Sequence, residues 1–285
     1  MKCLNFFLEQ IKRLGTPTPD SLDRLRKMEL DCSERKDPNS FYVMFHLNNL
    51  PTVVWSHNLD RHLGVASLDF EQYISLIHPS WLPIHQAFAA TAYIEGQKIY
   101  DKHRNSFAVY TNNVPIRHKD GTYHWFNQVS VPAAFDSNGQ LTCYLNQYHR
   151  LCSFDQLVPT KPKLTVDGIW NSEVDDELSK AANEALAISL SELLTPANQQ
   201  LLHAYRRLAK NTDGKWIPPA KKIVRETIGL SPNAINKANV RIIHSLKEAF
   251  PGCVTNDVAG FACFLNDIFG APRYLSPEKV EETYR

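Results

Sequence analysis

The sequence predicts an α+β chain, in which an antiparallel sheet with flanking helices is followed by an all-α unit of four short helices. Three strand-like segments, Val109–His118, Tyr123–Phe135 and Leu141–His149, are separated by Lys119-Asp120-Gly121-Thr122 and Asp136-Ser137-Asn138-Gly139-Gln140. Each turn sets Asp or Asn beside Gly, as a tight hairpin with positive φ requires. Ahead of this meander, Leu82–Gln97 is rich in Ala and aromatic residues and reads as a helix. Beyond residue 192 the apolar period is helical, punctuated by prolines and Gly229.

Along the chain, residues 1–38 form a helical extension. Thr16-Pro17-Thr18-Pro19-Asp20 separates two polar helical patterns, and Leu22, Leu25, Met28 and Glu29 lie near one side of the second. That stripe suits a helix lying on a neighbour; a swapped or dimer-forming arm is the other reading. Residues 39–152 form one domain. Two strands, including Pro51–His57, precede a short helix at Asp69–Ile77, the longer helix and the meander. Residues 153–191 read as a linker, with Pro159 and Pro162, followed by a connecting helix over Asp175–Leu190.

Residues 192–285 form the second domain. Thr195 caps a helix with Pro196 in its first turn, which runs to about Asn211 and buries Leu201, Leu202, Tyr205 and Leu208. The next starts at Ala220 with Ile223, Val224 and Ile228 inward and ends at Gly229 in a left-handed turn. A third spans Asn233–Phe250. At 100° per residue, Ile235, Ala238, Asn239, Ile242, Ile243, Leu246, Ala249 and Phe250 share one side, opposite Asn233, Lys237, Val240, Arg241, His244 and Glu248. A fourth, Asn256–Phe269, is capped by Thr255 and stopped by Gly270.

The bulk properties narrow the functional classes. A length of 285 residues and a hydrophobic fraction of 43% allow two packed domains. The net charge of +1 hides an asymmetry: Asp167, Glu173, Asp175, Asp176 and Glu177 precede a basic stretch that includes Arg206, Arg207, Lys210 and Lys215. Six scattered cysteines read as reduced, mostly buried thiols, and with no secretion signal or apolar run of about 20 residues the protein is expected to be cytoplasmic and not membrane-spanning. No catalytic set is expected, because a phosphate-cradling glycine loop and a His-Glu-x-x-His helix are both missing. His78, His85, His103, His118 and His124 lack close metal-ligand spacing, so neither metal nor haem is expected, and no cofactor is assigned.

Two surfaces remain. Asn233, Asn236, Lys237 and Arg241 offer the short-range donors and acceptors that a groove-binding helix needs, while Lys221, Lys222 and Arg225 can approach phosphates. The bland reading is a solvated polar face. In the first domain Phe107, Tyr110, Tyr123, Trp125, Phe126 and Tyr144 either fill the centre of the sheet or line a cavity for a small molecule.

Leu194-Thr195-Pro196, then Ile228-Gly229-Leu230-Ser231-Pro232-Asn233-Ala234-Ile235, then Ile242 and Leu246, resemble the LuxR-type helix-turn-helix domain of bacterial transcription regulators. The resemblance implies that Leu230-Ser231 fills the turn and that Asn236, Lys237, Asn239, Val240 and Arg241 neighbour the groove, with Ser231 and His244 completing the expected DNA-binding set. Ala234, Asn236 and Ala238 depart from the family's usual Thr, Lys and His, and the link over Asn211–Pro219 is longer than usual. Residues 39–151 resemble a PAS domain through Ile77-His78-Pro79, the run Arg117-His118-Lys119-Asp120-Gly121-Thr122-Tyr123-His124-Trp125, and Asp136–Gly139. Neither Cys143 nor Cys152 has the Asn-Cys-Arg setting of the photoactive flavin relatives. Together the resemblances imply a homodimeric regulator in which a PAS-like input unit, answering to a small molecule or a protein, controls binding to double-stranded DNA. A PAS-type adaptor whose helical domain binds protein is the alternative.

Overall fold

A computed structural model describes residues 16–35, 37–48, 50–79, 81–103, 107–154, 163–170, 183, 187, 190–191, 193–213, 215–249 and 255–269. The chain divides into two compact units, Met1–Leu178 with Lys247–Val254, and Ser179–Leu246 with Thr255–Arg285. The first contains α1 (Pro19–Glu34), β1 (Ser40–Asn48), β2 (Leu50–His57), α2 (Leu59–His62), α3 (Phe70–Leu76), α4 (Leu82–His103), β3 (Phe107–Arg117), β4 (Tyr123–Phe135), β5 (Leu141–Ser153), β6 (Lys163–Val166) and β7 (Ile169–Trp170). The second contains α5 (Pro196–Leu208), β8 (Lys210–Thr212), β9 (Lys215–Ile217), α6 (Lys221–Ile228), α7 (Pro232–Ala249) as far as Leu246, and α8 (Val258–Phe269).

The first unit is an antiparallel sheet in the order β2-β1-β5-β4-β3-β6-β7. Its meander forms where the turn chemistry places it. Asp136 Oδ1 accepts from Asn138 N and Gln140 N at 2.8 and 2.9 Å, and Gly139 supplies φ 80°. Strands β6 and β7, joined through Asp167 (φ 50°) and Gly168 (φ 79°), extend the sheet from β3 into the segment read as linker and connector. Elements of four and two residues are too short to establish a period.

Strand alternation divides the side chains between two faces. On one, Tyr42, Met44, Ala133, Ala134, Cys143 and Leu145 pack against Leu25 and Cys32 of α1. Thr18 caps this helix, Ser21 Oγ donates to Phe135 O at 3.0 Å, and Arg24 reaches Pro132 O at 3.1 Å. Leu22, expected on the buried stripe, is 43% exposed, so the contact is narrower than the sequence suggests. On the other face, Leu47, Phe107, Val109, Phe135 and Leu141 pack with Ala92 of α4. Asp69 starts α3 with both bonds of a capping box, at 2.7 and 2.9 Å.

In the second unit Thr195 and Pro196 begin α5 as expected, but the helix stops at Leu208 rather than Asn211. Ala209 is extended, and Lys210–Thr212 turns through Asp213 (φ 51°) to pair with Lys215–Ile217. The unit therefore carries a hairpin between α5 and α6; three residues on each side give no sequence period to distinguish it from a loop. Gly229 ends α6 at φ 67°, as its position implied. Ile223, expected inward, is 51% exposed, because a helix of only eight residues buries just the stripe around Val224. Asp257, not Thr255, caps α8: its Oδ1 accepts from Gly260 N at 2.6 Å. Arg206 is buried and donates to Asn183 Oδ1 at 2.6 Å and Asn266 Oδ1 at 3.0 Å, so it does not add to the surface charge assigned from the sequence.

Cys32, Cys143 and Cys263 are buried and unbridged, whereas Cys152 is exposed. The expected helix over Asp175–Leu190 falls mainly outside the described residues, as do residues 1–15, Phe250 and Gly270. No helix among the described residues is long and apolar enough to cross a membrane.

Gly96 lets α4 approach β3, because a Cβ there would lie 2.6 Å from the Phe107 ring terminus. Gly96→Ala should therefore destabilise the first unit by about 1–3 kcal/mol despite its better helix propensity, read as a lower urea midpoint.

Candidate ligand cavity and nucleic-acid interface

Between α3, α4 and the sheet lies a cavity of about 100 Å³, below the roughly 300–1,000 Å³ of drug-sized pockets. Phe70, Phe88, Phe107 and Tyr144 give it an apolar wall. Across β4 and β5, where Gln128 pairs with Tyr148 and Ser130 with Asn146, a polar strip runs through it. Gln128 Nε2 donates to Ser130 Oγ at 3.0 Å, Ser130 Oγ to Asn146 Oδ1 at 2.6 Å, and Asn146 Nδ2 to Tyr148 OH at 3.3 Å. Tyr148 bonds to Tyr73, whose hydroxyl lies 3.5 Å from His85 Nε2 on α4. Among the described residues Gln128 Oε1 is buried without a hydrogen-bond partner, an acceptor that a bound donor would satisfy.

The strip is uncharged. Burial pushes Tyr73 up to about 12 and Tyr148 well above the usual range, so both keep their protons. Burial likewise pushes His85 down to about 4, leaving a neutral imidazole. Such surroundings favour a small neutral ligand with a hydrogen-bonding group, since an unpaired charge would lose its hydration there. A larger groove of about 450 Å³, beside Thr18, Arg24, Tyr100 and Asp136, is more open to solvent.

Of the six aromatic residues proposed from the sequence, Phe107 and Tyr144 line the cavity. The other four point elsewhere. Tyr110 is 41% exposed, on the opposite strand face from Val109 and Thr111. Tyr123 packs against His78 at 4.6 Å, Trp125 against Phe154 at 4.8 Å, and Phe126 against Phe41 at 5.5 Å. Sequence reasoning sought aromatic bulk and missed Gln128, Ser130 and Asn146; their alternation along β4 and across β5 was the available signal.

In the second unit α7 sorts its side chains as the periodicity predicts. Ile235, Ile242 and Leu246 are at most 2% exposed, while Asn233, Asn236, Lys237, Arg241 and His244 are exposed and Val240 reaches 71%. Ser231 Oγ caps the start of α7 by accepting from Ala234 N at 3.3 Å. Asn239, which the family resemblance placed near the groove, turns inward and donates to Tyr205 OH at 2.9 Å. On α6, Lys221 and Lys222 are exposed and Arg225 is half-buried. Glu226 lies 4.0 Å from Lys222 and 3.5 Å from Arg225, which tempers their positive field.

No protein-family model matches this chain. No curated protein matches it either. Among solved structures, the Vibrio cholerae VqmA dimer in the absence of target DNA is 14% identical, with 87% of this chain and 90% of that chain covered and a TM-score of 0.25. A VqmA–ligand–DNA complex gives 14%, 87%, 89% and 0.24, and VqmA bound to DPO gives 12%, 87%, 91% and 0.23. Such low TM-scores leave the functional reading to the residues of this chain.

His85 and His62 are both pushed by burial from 6.5 down to about 4. Well above pH 6.5 neither the folded nor the unfolded chain protonates them appreciably. Below it the unfolded chain takes up protons that the folded chain refuses until about pH 4, so stability should fall as pH drops from 6.5 to 4. Urea midpoints measured across that window should decline less steeply in His85→Gln.

Proposed function

We propose that the protein is a transcription regulator in which a PAS-type unit, responsive to a small neutral molecule, controls duplex DNA binding by a helix-turn-helix unit. The observation that carries this reading is the two-sided α7. Its buried Ile235, Ile242 and Leu246 secure a helix whose exposed row combines Asn233, Asn236, Lys237, Val240 and Arg241. Asn and Arg can each form paired hydrogen bonds to base edges, and an exposed Val can meet a thymine methyl group. Lys221, Lys222 and Arg225 on the preceding helix are suited to the phosphate backbone, which positions without specifying sequence.

The succession of two strands, helices and a three-stranded meander supports the PAS reading of the first unit. The largely apolar, uncharged cavity, into which Gln128 brings an acceptor unpaired among the described residues, supports ligand sensing. Two copies of the chain would read paired half-sites with greater avidity than one, so the regulator acts as a homodimer.

The first measurement selects genomic duplex fragments with the full protein and then follows binding of one fragment as salt is varied. Log affinity should fall linearly with log salt, and Lys237→Ala with Arg241→Ala should flatten that slope by about 1 for each phosphate contact removed, with the far-UV circular dichroism unchanged. Undiminished binding by the folded double variant removes the α7 assignment. A saturable protein complex without salt-dependent duplex binding would favour the adaptor reading.

A further inference from the structure

The β3–β4 turn gathers three potential metal ligands that their sequence spacing did not advertise. Gly121 at φ 84° folds the chain back, so that His118 and His124 stand either side of Asp120. Asp120 Oδ2 lies 3.1 Å from His118 Nδ1 and 3.2 Å from His124 Nε2, and the three ligand atoms all lie within 4.8 Å of one another. The other carboxylate oxygen is already engaged. Asp120 Oδ1 accepts from Thr122 N at 2.9 Å and Thr122 Oγ1 at 2.7 Å, which orients the carboxylate with Oδ2 between the imidazoles. The side chains of His118 and His124 are 7% and 12% exposed, while that of Asp120 is 48% exposed and leaves an approach from solvent.

We propose that His118 Nδ1, Asp120 Oδ2 and His124 Nε2 form a binding site for a divalent transition-metal ion of the zinc class, with solvent as the fourth ligand. Zinc bonds of about 2.0–2.1 Å to nitrogen and oxygen set tetrahedral neighbours roughly 3.3 Å apart. Two of the three separations are close to that value, and the third is within 4.8 Å. Two nitrogens and one carboxylate suit zinc, cobalt, nickel or copper, whereas calcium and magnesium require more oxygen ligands. The Thr122 bonds supply the outer support that holds a ligating carboxylate in position.

One neighbouring charge opposes the ion. Arg150 Nη1 lies 3.3 Å from His118 Nε2. Ligation through Nδ1 puts the remaining ring proton on Nε2, so this guanidinium must swing aside when metal binds. Lys119 within the turn and Arg117 at the end of β3, both exposed, are further cations of the hairpin. Removing the Arg150 charge should strengthen the site.

The test uses the untagged full chain after chelator treatment, titrated with Co²⁺ and then Zn²⁺. One equivalent of Co²⁺ should produce a visible absorption band characteristic of four-coordinate nitrogen and oxygen ligation, which Zn²⁺ bleaches. Asp120→Asn retains an acceptor for Thr122 and should weaken binding about tenfold or more. His118→Ala and His124→Ala should each abolish the band with unchanged far-UV circular dichroism, and Arg150→Gln should raise affinity severalfold. Failure of the folded wild-type chain to take up either ion overturns the proposal. So does undiminished uptake by the folded His118→Ala/His124→Ala double variant or by Asp120→Asn.

Discussion

The hydrogen-bonded run from Gln128 through Ser130, Asn146 and Tyr148 to Tyr73 is the constraint on which the first unit depends. Buried polar atoms are tolerated when they bond one another, and these do so only if β4 and β5 hold the register that sets Gln128 opposite Tyr148 and Ser130 opposite Asn146. A slip of one residue would turn the strip to the α1 side and break the run. The same register that satisfies the core therefore shapes the cavity. Tyr73, brought in on α3 behind its capping box, ties the helical layer to the sheet.

A similar constraint organises the helical unit. Arg206 on α5 is kept as a buried cation by Asn183 and Asn266, while Asn266 Nδ2 also donates to Arg206 O at 2.8 Å. Burial lowers the guanidinium to about 10, so it remains charged at neutral pH and needs those acceptors. Tyr205, one residue earlier, accepts from Asn239 and so joins α5 to α7. The Tyr205–Asn239 bond orients α7 more specifically than apolar packing through Ile235, Ile242 and Leu246 would alone, and leaves its opposite row exposed.

The sequence alone determined the meander, the helices α1 and α3 to α8 to within a few residues of their ends, and the two sides of α7. Asp and Gly at a hairpin, Thr195-Pro196 at a helix start and Gly229 at a helix end act through local backbone chemistry, which a linear chain displays directly. The two-sidedness of α7 likewise follows from which residues prefer to leave water. Short elements escaped that reading. The β6–β7 and β8–β9 pairs are defined by partners across a ladder rather than by their own few residues.

The tertiary structure decided which polar and aromatic groups face one another. Tyr110 and Phe126 carry the same aromatic chemistry as Phe107 and Tyr144, but strand face and the irregular pairing near His124 and Phe126 set their direction. Arg206 and Arg207 are adjacent and chemically identical, yet only Arg206 is buried. Local preference acts through neighbours in the chain, whereas burial, hydrogen-bond partners and the gathering of His118, Asp120 and His124 depend on segments that meet only when the backbone has folded back on itself.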